Sequence, residues 1–207
     1  MSELETRRQR LAENKANFNI SNELHKFRAK NAKIAFQIAA EFGYIDPNNI
    51  KRIADFGAGT GGSTLGLKEL AKVMDAEVVA IEKEKKLAKQ IIESQILPSE
   101  KVKIGEGTEF IRRARQKEGE GFDLITSFML GPDPSGNLFI DLARASSVGL
   151  NNGGNLLITS DTGTLARARG ICKQAKVKFK FINDVMQDNE VLVPNVLIVP
   201  KESCLKI

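Results

Sequence analysis

The stretch IADFGAGTGGSTLGL, Ile53 to Leu67, decides the fold. A short apolar run carrying one acid, Asp55, meets Gly57, Gly59, Gly61 and Gly62 within a few residues, and a helix-like run follows. Glycine is used where a chain must take positive φ or come close to a ligand, and a strand-to-helix junction also points helix N-terminal amides at whatever lies there. Such a turn holds something. Two spacings coexist in it. Gly57, Gly59 and Gly62 satisfy the G-x-G-x-x-G dinucleotide fingerprint, with Glu82 standing about 20 residues on, where a ribose-binding acid belongs. Asp55-x-Gly57-x-Gly59-x-Gly61 is a second pattern, in which the acid precedes the first glycine by two residues.

Outward from this turn, short apolar runs alternate with helical ones, the pattern of parallel strands joined by crossover helices. The expected strands are 52–56, 77–81, 102–104, 122–127 and 155–160. The helices between and after them are 63–73, 85–96, 108–116, 138–147 and 165–175. Two further strands, 178–182 and 196–199, are joined by NDVMQDNEVLVPN, which reads as a loop too short in helical period to cross a sheet. Those two should pair antiparallel. The expected fold is a doubly wound, Rossmann-like α/β sheet of seven strands with an antiparallel last strand. Ligands of such sheets lie beyond the carboxyl ends of the strands, where strand order reverses.

The strand ends resemble those of the class I S-adenosylmethionine-dependent methyltransferases over roughly residues 50 to 200. Asp55 and its glycines have the form of that family's first motif. Glu82 closes VVAIEKE as its ribose-binding acid does, and Glu106 in VKIGEGTEF is similar to the acid that meets the adenine amino group. FDLITSFML resembles the fourth-strand motif, and VGLNNGGNLLITSD resembles the approach to the fifth strand, with Asn152 in place of the usual proline. The resemblance implies S-adenosylmethionine as cofactor, held by Asp55, Phe56, Gly57, Ala58, Gly59, Thr60, Gly61, Glu82, Lys83, Glu106, Gly107, Thr108, Ser127, Phe128 and Met129. Charge favours it over NAD: Asp55 beside the turn repels a pyrophosphate and attracts an ammonium and a sulfonium. Taken one at a time, these residues also have structural readings. Gly62 and Gly66 serve close packing of helix on sheet, Asp55 caps the following helix, and Thr108 caps another.

The chain divides into residues 1–48, an N-terminal helical lid or extension, and 49–207, the cofactor-binding domain. Residues 1–18 read as a polar, Arg-rich helix. A second helix is capped by Ser21 and stopped at Gly43, with Leu24, Phe27, Ile34, Ile38 and Phe42 on one face and Lys26, Lys30 and Lys33 on another. The chain has 207 residues, 42% of them apolar and 28% charged, with a net charge of +5. This composition suits one globular domain. No signal-peptide core or membrane-length apolar run occurs, and the expected location is the cytosol. One histidine and two distant cysteines, Cys172 and Cys204, exclude His-based zinc and Ser-His-Asp chemistry.

Methyl transfer from a sulfonium is an in-line displacement, and a base is needed only when the nucleophile starts protonated. The segment that the resemblance places toward the methyl group, SFMLGPDPSGN, lacks the Asn/Asp-Pro-Pro-aromatic, Pro-Cys and acid-cluster motifs that would name an acceptor. Asp133, Asp161, Tyr44 and His25 are the candidates for a catalytic or substrate role. A small-molecule acceptor is favoured over RNA or protein, because the basic residues are dispersed rather than grouped with aromatics. A noncatalytic binding module of the same fold and an NAD oxidoreductase are the alternatives.

Overall fold

The structure, a computed structural model, describes residues 3–118, 121–128, 135–160, 162–183, 185–187, 190–193, 195–204 and 206–207, the side chains before residue 22, at 116–118 and at 185–193 excepted. Strands β1 (Arg52–Phe56), β2 (Glu77–Glu82), β3 (Val102–Ile104), β4 (Phe122–Phe128), β5 (Leu150–Thr159), β6 (Lys180–Ile182) and β9 (Val196–Pro200) form one sheet in the order β3-β2-β1-β4-β5-β9-β6. The first five are parallel, and β9 runs antiparallel between β5 and β6. The antiparallel end is as expected. The segment read as a loop contains a short hairpin instead, β7 (Val185–Gln187) with β8 (Glu190–Val193). The valines of VMQ and EVLV favour strand, and three or four residues suffice to pair antiparallel.

Alternation along the strands sends neighbouring side chains to opposite faces. Ile53, Leu124 and Leu157 join one core with helices α1 (Glu3–Glu41), α2 (Gly62–Met74) and α3 (Lys85–Glu93). Ala54, Ile125 and Leu156 join the other with α4 (Gly107–Glu118), α5 (Asn137–Gly149), α6 (Thr162–Gln174) and the short α7 (Lys201–Cys204). Both faces are covered, so the strands read as near-continuous apolar runs. Strand order reverses between β1 and β4, which pair at Ile53–Leu124 and Asp55–Thr126.

The N-terminal segment differs from its sequence reading. It is one helix of 39 residues, and Ser21 lies inside it rather than capping a second helix. No glycine or proline precedes Gly43, and a mid-helix serine costs only about half a kcal/mol. The buried face differs in part: of the expected stripe, Ile38 is buried and Ile34 packs against the core. Leu24, Phe27 and Phe42 are exposed, whereas Ala29, Ala32, Ala35, Phe36 and Ala39 are buried. The cause is a close approach to α2. A β-carbon at Gly66 would stand 2.3 Å from the Ala29 carbonyl oxygen, and one at Gly62 would stand 2.8 Å from Arg28 Cβ. Small residues are what the contact with α2 admits, and Leu24 and Phe27 are turned outward there, while Phe36 and Ile38 reach the core further along the helix. Gly62 and Gly66 thus serve packing of helix on helix, not of helix on sheet. Contacts ascend both helices together, from His25–Thr60 through Ala29–Gly66 to Lys33–Glu69, so α1 and α2 run parallel. Among the described residues no helix is long and apolar enough to cross a membrane.

Candidate functional site

The turn after β1 is built on three left-handed glycines, Gly57 at φ +70°, Gly59 at +58° and Gly61 at +93°. They divide by what surrounds them. A β-carbon on Gly57 or Gly59 would meet nothing within 4 Å, and the same holds for Gly105 at the end of β3. A β-carbon on Gly61 would press on Ile96 and Ile91, and one on Gly107 on the Phe56 ring. The first group faces open space above the strand ends, and the second is closed by packing. Gly57 and Ala58 donate their N–H groups to the Ile81 carbonyl, which ties the turn to the end of β2.

Glu82 completes that tie. Its carboxylate accepts from Gly59 N–H at 2.7 Å and from Glu84 N–H at 2.9 Å, and the residue is only 7% exposed. The strand end therefore presents a carboxylate fixed by two backbone donors, each oxygen with lone pairs left over. Lys83 and Glu106 follow on the surface as an exposed ion pair of 2.5 Å, in which Glu106 raises the Lys83 pKa. Glu106 precedes α4, whose first turn contains Gly107 and Thr108.

Asp55 lies beneath the turn. It is fully buried. Its carboxylate accepts from Ser63 Oγ at 2.8 Å and Thr64 Oγ1 at 2.6 Å, and Thr126 Oγ1 lies 3.3 Å away. Burial pushes its pKa up to about 6, partly offset by those three hydroxyls, with Glu82 adding to the rise. Asp55 thus joins β1, the start of α2 and β4 from beneath the turn. Ser63, Thr64 and Thr126 were not among the candidates from sequence; the signal for two of them was a pair of hydroxyl residues directly after the glycines.

His25 is the distant candidate that the fold brings to the turn. Its Nε2 lies 2.6 Å from Thr60 Oγ1. Its pKa is lowered by burial and by the nearby charge of Arg28. Tyr44 goes to another place: its ring stacks on Phe42 and lies under Lys180 of β6, the far edge of the sheet. That edge stands four strand spacings from β1, about 19 Å, so His25 and Tyr44 do not share a site. Ser127 is buried and Phe128 half-buried at the end of β4. Met129, Asp133 and Asp161 lie outside the described residues. Of the lysine stripe on α1, Lys33 is taken by Glu69 at 2.6 Å. Among the described residues no three His, Cys, Asp or Glu side chains converge as metal ligands would.

No family model matches the chain. No curated protein matches it either. Solved structures do match. A predicted O-methyltransferase from Agrobacterium tumefaciens superimposes with a TM-score of 0.51 at 23% identity, over 72% of this chain and 73% of that one. The fold is that of the S-adenosylmethionine-dependent methyltransferases. The O-methyltransferase TomG of Streptomyces achromogenes, solved in complex with S-adenosylmethionine, matches with a TM-score of 0.51 at 14% identity over 81% and 77%. A fibrillarin pre-rRNA processing protein of Methanococcus jannaschii matches with 0.51 at 16% over 75% and 68%. One of these is involved in tomaymycin synthesis and another is a pre-rRNA processing protein, at the same TM-score. The fold therefore carries the cofactor question and leaves the acceptor to the site.

Proposed function

We propose that the chain binds S-adenosylmethionine over the carboxyl ends of β1, β2, β3 and β4 and transfers its methyl group to a small-molecule acceptor. The carrying observation is Glu82, a carboxylate fixed at the end of β2 by Gly59 and Glu84 N–H groups and set across from open glycines. The chain fits the group. Gly57, Gly59 and Gly105 leave backbone bare where a nucleoside and its amino-acid arm would lie, and Glu82 offers acceptors suited to two ribose hydroxyls.

Bound there, S-adenosylmethionine supplies an electrophilic methyl on a sulfonium whose sulfur departs as a neutral thioether. The protein's part is alignment. Glu82 would orient the ribose, Glu106 would meet the adenine, and Ser127 and Phe128 would border the side from which an acceptor approaches. Asp55 acts from beneath the turn, its ionised form favoured by positive charge above it.

A dinucleotide fits less well. The Gly59 N–H that a pyrophosphate would use is occupied by Glu82, and Asp55 adds a second acid under the same turn. The basic residues are dispersed along the chain rather than grouped with aromatics, which supports a small organic acceptor over a phosphate backbone.

Calorimetry with S-adenosylmethionine, S-adenosylhomocysteine and NAD tests the cofactor. Micromolar-range binding of the first two and none of NAD is expected, and binding of NAD alone overturns the proposal. Transfer of labelled methyl to small-molecule extract, RNA and protein fractions then tests the acceptor. Label in the RNA fraction with a salt-dependent affinity overturns the small-molecule reading, and binding without transfer to any fraction marks a noncatalytic module.

A further inference from the structure

We infer that Arg28, contributed by α1, is the group that receives the amino-acid carboxylate of S-adenosylmethionine. The inference rests on the reading of the glycine turn as that cofactor's site. It deepens that reading by giving the far end of the ligand a named counter-charge.

The stem of Arg28 lies across Gly62, whose absent β-carbon would stand 2.8 Å from Arg28 Cβ and 3.1 Å from Arg28 Cδ. Long side chains in a helix lean toward that helix's N-terminus. Because α1 runs parallel to α2, this lean carries the guanidinium toward the turn rather than down the body of α2. The charge is felt there: Arg28 helps to lower the pKa of His25, whose imidazole is at Thr60. Arg28 Nε is buried and has no hydrogen-bond partner among the described residues. A buried donor without a partner is costly, and a carboxylate is the acceptor that a guanidinium matches best.

Charge complementarity around the turn points the same way. Glu82 and Asp55 are acids, suited to hydroxyls and to positive charge. Lys83 is held by Glu106. Neither acid can receive a carboxylate, whereas the uncapped start of α2 at Gly61 and the Arg28 guanidinium both can. The arrangement makes α1 part of the cofactor site and not only a cover for substrate.

The test compares ligands that differ at that carboxylate. S-adenosylhomocysteine and 5′-methylthioadenosine, which lacks the amino-acid arm, are titrated calorimetrically into wild type, Arg28→Met and Arg28→Lys. Methionine preserves the apolar stem over Gly62, and lysine preserves the charge. Arg28→Met should weaken S-adenosylhomocysteine about 10- to 100-fold and leave methylthioadenosine within twofold, with Arg28→Lys in between. Equal effects on both ligands, or none on either, overturn the inference. Melting temperatures matching wild type establish that the variants are folded; if Arg28→Met alone melts low, the Arg28→Lys comparison decides by the same criterion. Failure of wild type to bind either nucleoside would sink the cofactor reading itself, a result distinct from all of these.

Discussion

His25 Nε2 and Thr60 Oγ1 lie 2.6 Å apart, and through this contact a helix 35 residues earlier in the chain touches the glycine turn. The expected effect of His25→Ala is a loss of about 1 kcal/mol in stability, the worth of one neutral hydrogen bond, measured by urea denaturation. Hydrogen exchange should quicken at the start of α2 and in α1 around residue 25. Unchanged exchange at both places would show that the contact does not fasten the helix.

Glu82 is expected to matter twice, once to the turn and once to the ligand. Glu82→Ala removes the acceptor of two backbone donors and should weaken S-adenosylhomocysteine by about 1.5 to 3 kcal/mol in calorimetry. Unlike the loss at Arg28, this one should appear equally with methylthioadenosine, because the ribose is common to both.

Among the described glycines, Gly66 is where a single methyl group has least room. The β-carbon of Gly66→Ala would stand 2.3 Å from a backbone oxygen, which no rotamer change can relieve. The helices must part, at a cost of about 1 to 3 kcal/mol, read as a lowered denaturation midpoint with an unchanged slope. Gly170, whose added β-carbon would meet nothing within 4 Å, is the control. As a helical position it should gain stability from alanine.

Asp55 gives stability an unusual pH dependence. Its folded pKa, about 6, lies above the ordinary value of 3.8. The folded state therefore holds a proton that the unfolded chain has lost. On this group alone, stability is full below about pH 4 and falls as pH rises to about 6, by on the order of 3 kcal/mol. Glu77, lowered by Lys101 and Arg52 against a burial penalty, has the opposite sign, its contribution being lost as pH drops below 4.5. Asp55→Asn should flatten the fall between pH 4 and 6 in chemical denaturation and leave the acid limb from Glu77 intact.

The parallel sheet was readable because its strands, buried on two faces, leave apolar runs bounded by glycine and acid. The turn was readable for the same reason that it exists: no residue but glycine enters three left-handed positions so cheaply. The packing of α1 was readable only in part. The stripe named Ile34 and Ile38, which do meet the core, but Leu24 and Phe27 made a better stripe than the alanines, and only the glycines of α2, far away in sequence, decide which face goes inward there. For Asp55 both a ligand-facing and a helix-capping reading were open, because spacing places a residue beside a turn but not above or below it. The hydroxyls of Ser63, Thr64 and Thr126 determine the latter. Arg28 escaped notice as one of many dispersed basic residues, distinguished only by standing three positions after His25.

The parallel seating of α1 on two glycines makes the site a matter of helical phase. One residue inserted between His25 and Ala29 would turn His25 by about 100° from Thr60 while the alanine face stayed seated. One inserted ahead of residue 22 would leave His25, Arg28 and Ala29 where they are. A scan of single-residue insertions along the helix should therefore show an abrupt boundary in nucleoside affinity near His25, with tolerance on its N-terminal side. Residue count along α1, as much as residue identity, sets which side chains face the turn.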